Sequence, residues 1–207
     1  MRANARAAYL NFPTRPYLTG MRNLMLTALV ALLPLTLPTP SAHAMHATDH
    51  AAGPGFEFDS IDGGTLSLAD WHGQPVLVVN TASRCAFTPQ YAALQALYDR
   101  YKDDGLVVLA VPSDDFRQEL DSAEAVKAFC EANFNLDLPM TDITPVTGRT
   151  AHPFFAWLAQ DHQIRPRWNF HKVLLNRDGQ PVASFSSTSR PLSRPVTRAI
   201  EQALAAR

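Results

Sequence analysis

Cysteine is scarce in this chain of 207 residues, which has two, Cys85 and Cys130, and no C-x-x-C pair. The third residue after Cys85 is Thr88, so the usual dithiol oxidoreductase motif is excluded. The sequence also lacks a glycine-rich phosphate loop, a Rossmann glycine pattern, a zinc-ligand spacing and an internal repeat. Charge of one sign is missing too. With 18 basic and 19 acidic residues and no basic cluster, nothing tracks a phosphate backbone, and nucleic-acid binding is excluded. Acidic residues are absent before Asp49, whereas Arg2, Arg6, Arg15 and Arg22 all precede it.

That imbalance has the composition of a targeting segment. Arg22 is followed by the apolar run Leu24 to Leu37, then by Pro38-Thr39-Pro40-Ser41-Ala42-His43-Ala44. Charge, apolar stretch and an A-x-A site in this order describe a secretory signal over 1–44, with Met21 as an alternative start. The run is short for a membrane span and contains Pro34. An exported protein is expected, periplasmic if the source is a Gram-negative bacterium. Residues 45–55 then read as a flexible linker. His46, Asp49 and His50 within it are read as a solvated tail, and no metal site is assigned.

What remains, 56–207, with a chain that is 46% hydrophobic, suffices for one domain. Pro75 to Asn80 and Leu106 to Val111 are continuous apolar runs, as expected of strands buried on both faces. Between them Leu94, Leu97, Tyr98 and Tyr101 recur at helical spacing, and Gly105 supplies a stop. Asp121 and Glu124 form a D-x-x-E capping box for a second helix carrying Val126, Phe129 and Cys130 on one stripe. Phe170 to Leu175 and Val182 to Phe185 flank Arg177-Asp178-Gly179-Gln180, a hairpin turn. A last helix spans Pro195 to Leu204, with Val196, Ile200 and Leu204 on one face. A parallel β-α-β unit followed by an antiparallel hairpin is an α/β thioredoxin-like fold, a central mixed sheet flanked by helices.

Cys85 sits where an apolar run ends and a helical pattern begins. Unpaired N–H groups and the positive end of a helix dipole, with Arg84 adjacent, favour a thiolate at such a junction. The plainer reading is a small buried hydrophobe. Trp168-Asn169 offers an indole N–H and a carboxamide as two donors to a thiolate, although a Trp entering a strand is commonly core packing.

Taken together, the Asn80 to Tyr91 segment, the order of the apolar runs and Trp168-Asn169-Phe170 resemble the glutathione peroxidase family over about Phe56 to Leu204. The resemblance implies a thiol peroxidase in which Cys85 attacks the O–O bond of a hydroperoxide and becomes a sulfenic acid. It places Cys130 where thioredoxin-dependent members carry a resolving cysteine that closes an intramolecular disulfide. It implies no cofactor, only a co-substrate thiol reductant, either a thioredoxin-like protein or glutathione. A member that uses glutathione with one cysteine would leave Cys130 structural. The loop from Phe116 to Cys130 is one residue shorter than is common in the family. The absence of a long insertion between Thr141 and Trp168 implies a monomer.

One position departs from the family pattern. Pro112-Ser113-Asp114-Asp115-Phe116 stands where the family commonly has Pro-Cys-Asn-Gln-Phe, so Asp115 falls on the glutamine of a catalytic tetrad with Cys85, Trp168 and Asn169. An ionised carboxylate there would oppose a thiolate, whereas a protonated one still donates a hydrogen bond. Asp114, Gln118 or a backbone amide are the other candidates for the fourth donor. The residues ahead of Cys85 do not match the Pro and Thr of a peroxiredoxin. The non-enzymatic alternative is an exported domain with a structural Cys85–Cys130 disulfide.

Overall fold

The computed structural model describes residues 53–206; the expected signal at 1–44 and the start of the linker at 45–52 lie outside the described residues. In chain order the elements are β1 (Glu57–Asp59), β2 (Thr65–Ser67), a short 3-10 helix at Leu68–Trp71, β3 (Val76–Thr81), α1 (Gln90–Tyr101), β4 (Val107–Pro112), α2 (Ala123–Phe134), α3 (Pro153–Asp161), β5 (Lys172–Leu175), β6 (Pro181–Phe185) and α4 (Arg194–Ala205). The main sheet has the order β4-β3-β5-β6. β3 and β4 run parallel, while β5 is antiparallel to both β3 and β6.

Two apolar runs become the centre of this sheet because each is buried on both faces. All six residues of β3 and all six of β4 are buried. On one face Leu77, Val79, Ala110 and Leu174 pack with Leu94, Leu97, Val126, Cys130, Val196 and Ile200 of the helices. On the other, Val76, Val78, Leu109 and Val173 pack with Phe58, Phe154, Phe155 and Leu158. β1 and β2 pair into a separate small hairpin. None of the described helices is long and apolar enough to cross a membrane.

Four local expectations change. Ser122, not Asp121, caps α2, and its Oγ accepts from Ala125 N–H at 3.2 Å. The hydroxyl holds an extended φ, ψ while reaching the third helical amide, which the D-x-x-E pattern missed by one residue. β5 begins at Lys172 instead of Phe170, because Phe170 has φ 61°, a conformation no strand residue adopts. α3 has no counterpart in the sequence expectations. Its start is marked by His152, whose Nδ1 accepts from Phe154 N–H at 3.3 Å, with Pro153 in the first turn. Finally, Gly53-Pro54-Gly55 is not free linker: Gly53 N–H donates to Asp178 O, and a side chain at Gly53 would strike the Gly179 carbonyl.

Candidate active site

Cys85 lies in the turn that connects β3 to α1. The helix starts at Gln90, with Pro89 before it, so the amides around the thiol are those of the turn and not of a helix end. Thr88 N–H donates to Cys85 O at 3.0 Å and Gln90 N–H to Phe87 O at 2.8 Å. Thr88 Oγ1 accepts from Cys85 N–H at 3.0 Å while donating to Ala82 O at 2.8 Å. With these bonds the turn fixes the thiol, and Phe87 N–H donates to Cys85 Sγ at 3.4 Å. A donor to sulfur interacts more strongly as the sulfur gains negative charge. Cys85 is 7% exposed at the edge of the core and Arg84 beside it faces solvent.

The segment after β4 closes on this turn. Asp114 O accepts from Arg117 N–H at 2.8 Å, with Arg117 at φ 57°, making a tight bend in which a non-glycine residue takes the left-handed conformation. Beyond the bend, Gln118 O accepts from Arg84 N–H at 2.8 Å, and Glu119 Oε1 accepts from Ser83 N–H at 3.0 Å. Glu119 is buried, and burial raises its carboxyl above the usual range, opposed by the Ser83 and Leu120 donors.

Asn169 and Trp168 arrive from the other side, and Asn80 aims them. Asn80 Nδ2 donates to Trp168 O at 3.2 Å, while Asn80 Oδ1 accepts from His171 N–H at 3.1 Å and Asn80 O from Phe170 N–H at 2.6 Å. These three bonds hold Phe170 at its positive φ, a strain of about 1–3 kcal/mol that functional sites commonly retain. Asn169 is fully buried; its Nδ2 donates to Gln118 Oε1 at 3.1 Å, and its Oδ1 has no partner in the protein. Trp168 is 41% exposed against Phe116, with ring centroids 5.4 Å apart, so it is not the core Trp that a strand entry suggests.

Asp115, by contrast, does not join these groups as a donor. It is exposed, and its Oδ2 accepts from Val146 N–H at 2.6 Å, Thr147 N–H at 2.7 Å and Thr147 Oγ1 at 3.1 Å. One carboxylate oxygen thus meets three donors in that turn. Of the other candidates, Asp114 Oδ1 caps Glu119 N–H at 3.1 Å, and Gln118 is the residue bonded to Asn169. The bend at Arg117 is followed directly by Gln118, whose side chain meets Asn169. The glutamine in Arg117-Gln118-Glu119 was visible in the sequence; the register of the bend was not.

Cys130 is buried inside α2, away from that turn in sequence and in chemistry. The Tyr91 hydroxyl lies against it, and burial pushes the Cys130 thiol up to about 11, with Glu119 and Glu131 adding in the same direction. Both cysteines are free thiols.

The glutathione peroxidase family model matches residues 55–159. The chain belongs to the glutathione peroxidase family. The chain is 41% identical over 144 residues to a glutathione peroxidase-like peroxiredoxin of Chlamydomonas reinhardtii, covering 67% of this chain and 89% of that one. To a hydroperoxy fatty acid reductase of a Synechocystis strain it is 38% identical over 148 residues, covering 66% and 88%. Among solved structures, Trgpx in its apo form superposes with TM-score 0.59 at 29% identity, covering 73% of this chain and 94% of that chain. A thiol:disulfide interchange protein of Chlorobium tepidum, at 19% identity and TM-score 0.54 over 73% and 94%, shows the thioredoxin-like fold alone. As a member of this family the chain is an oxidoreductase whose substrates in general are a peroxide and a thiol reductant.

Proposed function

We propose that this protein is a thiol peroxidase in which Cys85 reduces hydrogen peroxide or an organic hydroperoxide. The carrying observation is the pinned Cys85 thiol, with Phe87 N–H on its sulfur, in a turn that is hydrogen-bonded through Arg84 to Gln118, which in turn holds Asn169. The Cys85 thiolate attacks the terminal oxygen of R–O–O–H, the S–O bond forms and the O–O bond breaks. The sulfur loses two electrons, and the departing alkoxide takes a proton to leave as alcohol, or as water when R is hydrogen. Preorganised N–H donors stabilise the charge that moves onto oxygen; Trp168, Gln118 and the Phe87 amide fill that role, and the unpartnered Asn169 Oδ1 accepts the hydroperoxide O–H.

Cys130 then attacks the sulfenic acid, closing a disulfide and releasing water. A buried thiol held near 11 is inert, so this step needs α2 to open around Cys130. A disulfide so formed is returned to two thiols by a dithiol, which favours a thioredoxin-like reductant over glutathione. A pocket of about 450 Å³ lined by Phe87, Pro89, Ala93, Arg190 and Pro191 borders the Cys85 turn and suits an organic tail. The hydroperoxy fatty acid reductase among the relatives is consistent with such a substrate. We read the protein as an exported monomer, periplasmic in a Gram-negative source, on the composition of 1–44 and the short Thr141 to Trp168 connection. The peroxidase names of the relatives do not favour the non-catalytic alternative.

The test is peroxide consumption by the full chain with reduced thioredoxin or with glutathione, beside Cys85→Ser. Faster turnover with thioredoxin, lost in Cys85→Ser, is the expected result. Consumption that survives the substitution overturns the assignment of Cys85.

A further inference from the structure

Lys172 opens β5 and is completely buried. Its Nζ donates at 2.7 Å to Gln90 Oε1 and at 2.7 Å to Phe170 O, both neutral acceptors. Among the described residues no carboxylate makes an ion pair with it. Buried ammonium groups normally have an anionic partner, because desolvation is not recovered from neutral acceptors alone. Burial draws Lys172 from 10.5 down to about 8, which still leaves it charged at neutral pH.

The location adds to the imbalance. Gln90 is the first residue of α1, whose preceding residue, Pro89, makes no side-chain cap bond and whose first turn holds no acidic residue. The positive end of a helix dipole and a buried cation therefore converge on one side chain, an arrangement unfavourable unless an anion lies nearby. Gln90 ends the turn that carries Cys85, and Phe170 adjoins Trp168-Asn169, so Nζ binds both walls of the candidate site.

We infer that Lys172 is a positioning residue of the peroxidase site, a buried counter-charge that stabilises the Cys85 anion and ties the Cys85 turn to the Trp168-Asn169 segment. This rests on the reading of Cys85 as the attacking thiolate.

The neighbours leave little else for the charge to serve. On the strand itself His171 is pushed down to about 4 by burial and then by Lys172, so it is neutral near pH 7. Across the sheet Lys172 faces Val79 of β3 and Phe185 of β6. On α1 it meets Gln90, and the adjacent Tyr91 is raised, burial being the main cause, and stays neutral. α4 presents Val196 and Ile200 to the same core. Cys130 is held protonated, and the Glu119 carboxylate acts on Tyr91 and Cys130.

The test is the rate of iodoacetamide alkylation of Cys85 against pH, in the full chain with Cys130→Ser so that a single thiol reacts. Lys172→Met is expected to move the profile to higher pH by about one unit, slowing alkylation at pH 7 about tenfold. Gln90→Glu gives Lys172 a carboxylate partner without emptying the site and should shift the profile in the same direction, so it decides the matter if Lys172→Met does not fold. Lys172→Arg keeps the charge and should keep the profile. A folded Lys172→Met or Gln90→Glu whose profile overlays the parent overturns the inference. The parallel rate with hydrogen peroxide separates the two readings: a parent that shows the Lys172-dependent alkylation profile yet resists peroxide sinks the peroxidase and leaves the counter-charge standing.

Discussion

The two cysteines share a residue type and a core, yet their surroundings differ in almost every physical respect. Cys85 lies in a turn whose bonds are spent on orienting it, with a backbone donor on its sulfur, and Ser83 and Arg84 before it are bonded to Glu119 and Gln118 of the segment after β4. Cys130 lies in a helix among apolar side chains, against a tyrosine hydroxyl, with its proton held by burial. The contrast teaches that reactivity is assigned by the local supply of donors and not by the thiol. In the proposed reaction the first thiol attacks, whereas the second, the more deeply buried, must be uncovered before it can resolve.

The sharpest way to break the contrast is to remove each sulfur. Cys85→Ser should lower peroxide turnover at least about 1,000-fold, the loss expected when a covalent nucleophile is deleted. Cys130→Ser should stop thioredoxin-supported turnover about 100-fold, arresting the protein with one added oxygen on Cys85, which intact-mass measurement detects. Loss of activity in Cys85→Ser alone would make Cys130 structural and favour glutathione.

Next come the donors. Asn169→Ala, which removes the acceptor for the hydroperoxide O–H, or Gln118→Ala, which removes a donor, should slow oxidation of Cys85 by about 100- to 1,000-fold, the range for one lost hydrogen bond at a reacting oxygen. Asp115→Asn should instead leave that rate within about twofold while costing about 1–2 kcal/mol in urea denaturation, because the Val146 and Thr147 amides lose a charged acceptor. A larger effect of Asp115→Asn on rate than of Gln118→Ala would restore the aspartate to the tetrad.

Those last two residues also mark how far the sequence could be read. Both β3 and β4, the hairpin turn at Arg177–Gln180 and the helix faces follow from apolar period and glycine placement, which are local properties. The left-handed residues were not legible, since Phe170 takes its positive φ with Asn80, far along the chain, bonded to its neighbours, and Arg117 takes its own in a bend closed by Asp114 that carries no glycine. Their bends decide that Gln118 and not Asp115 reaches Asn169. α3 went unread because its cap is a histidine, a residue outside the usual capping set.

Smaller effects follow from pH. His171 titrates at 6.5 when exposed and near 4 in the fold, so the unfolded chain binds more protons between these values. Stability should therefore fall as pH drops from 6.5 to about 4, and His171→Asn should flatten that slope in denaturation curves. Cys130 acts oppositely: its folded value near 11 exceeds the ordinary 9.0, so its share of stability is complete below 9.0 and is lost as pH rises to about 11. Cys130→Ser should remove that alkaline slope. Smallest is Ser122→Ala, worth about 1 kcal/mol of α2 stability through its cap.

The most direct measurement is stopped-flow tryptophan fluorescence of the pre-reduced full chain mixed with hydrogen peroxide or an organic hydroperoxide, with Cys85→Ser as control. Oxidation far faster than that of a free thiol, abolished by the substitution, is the expected result. Oxidation at the rate of a free thiol, or one that persists without Cys85, would contradict it.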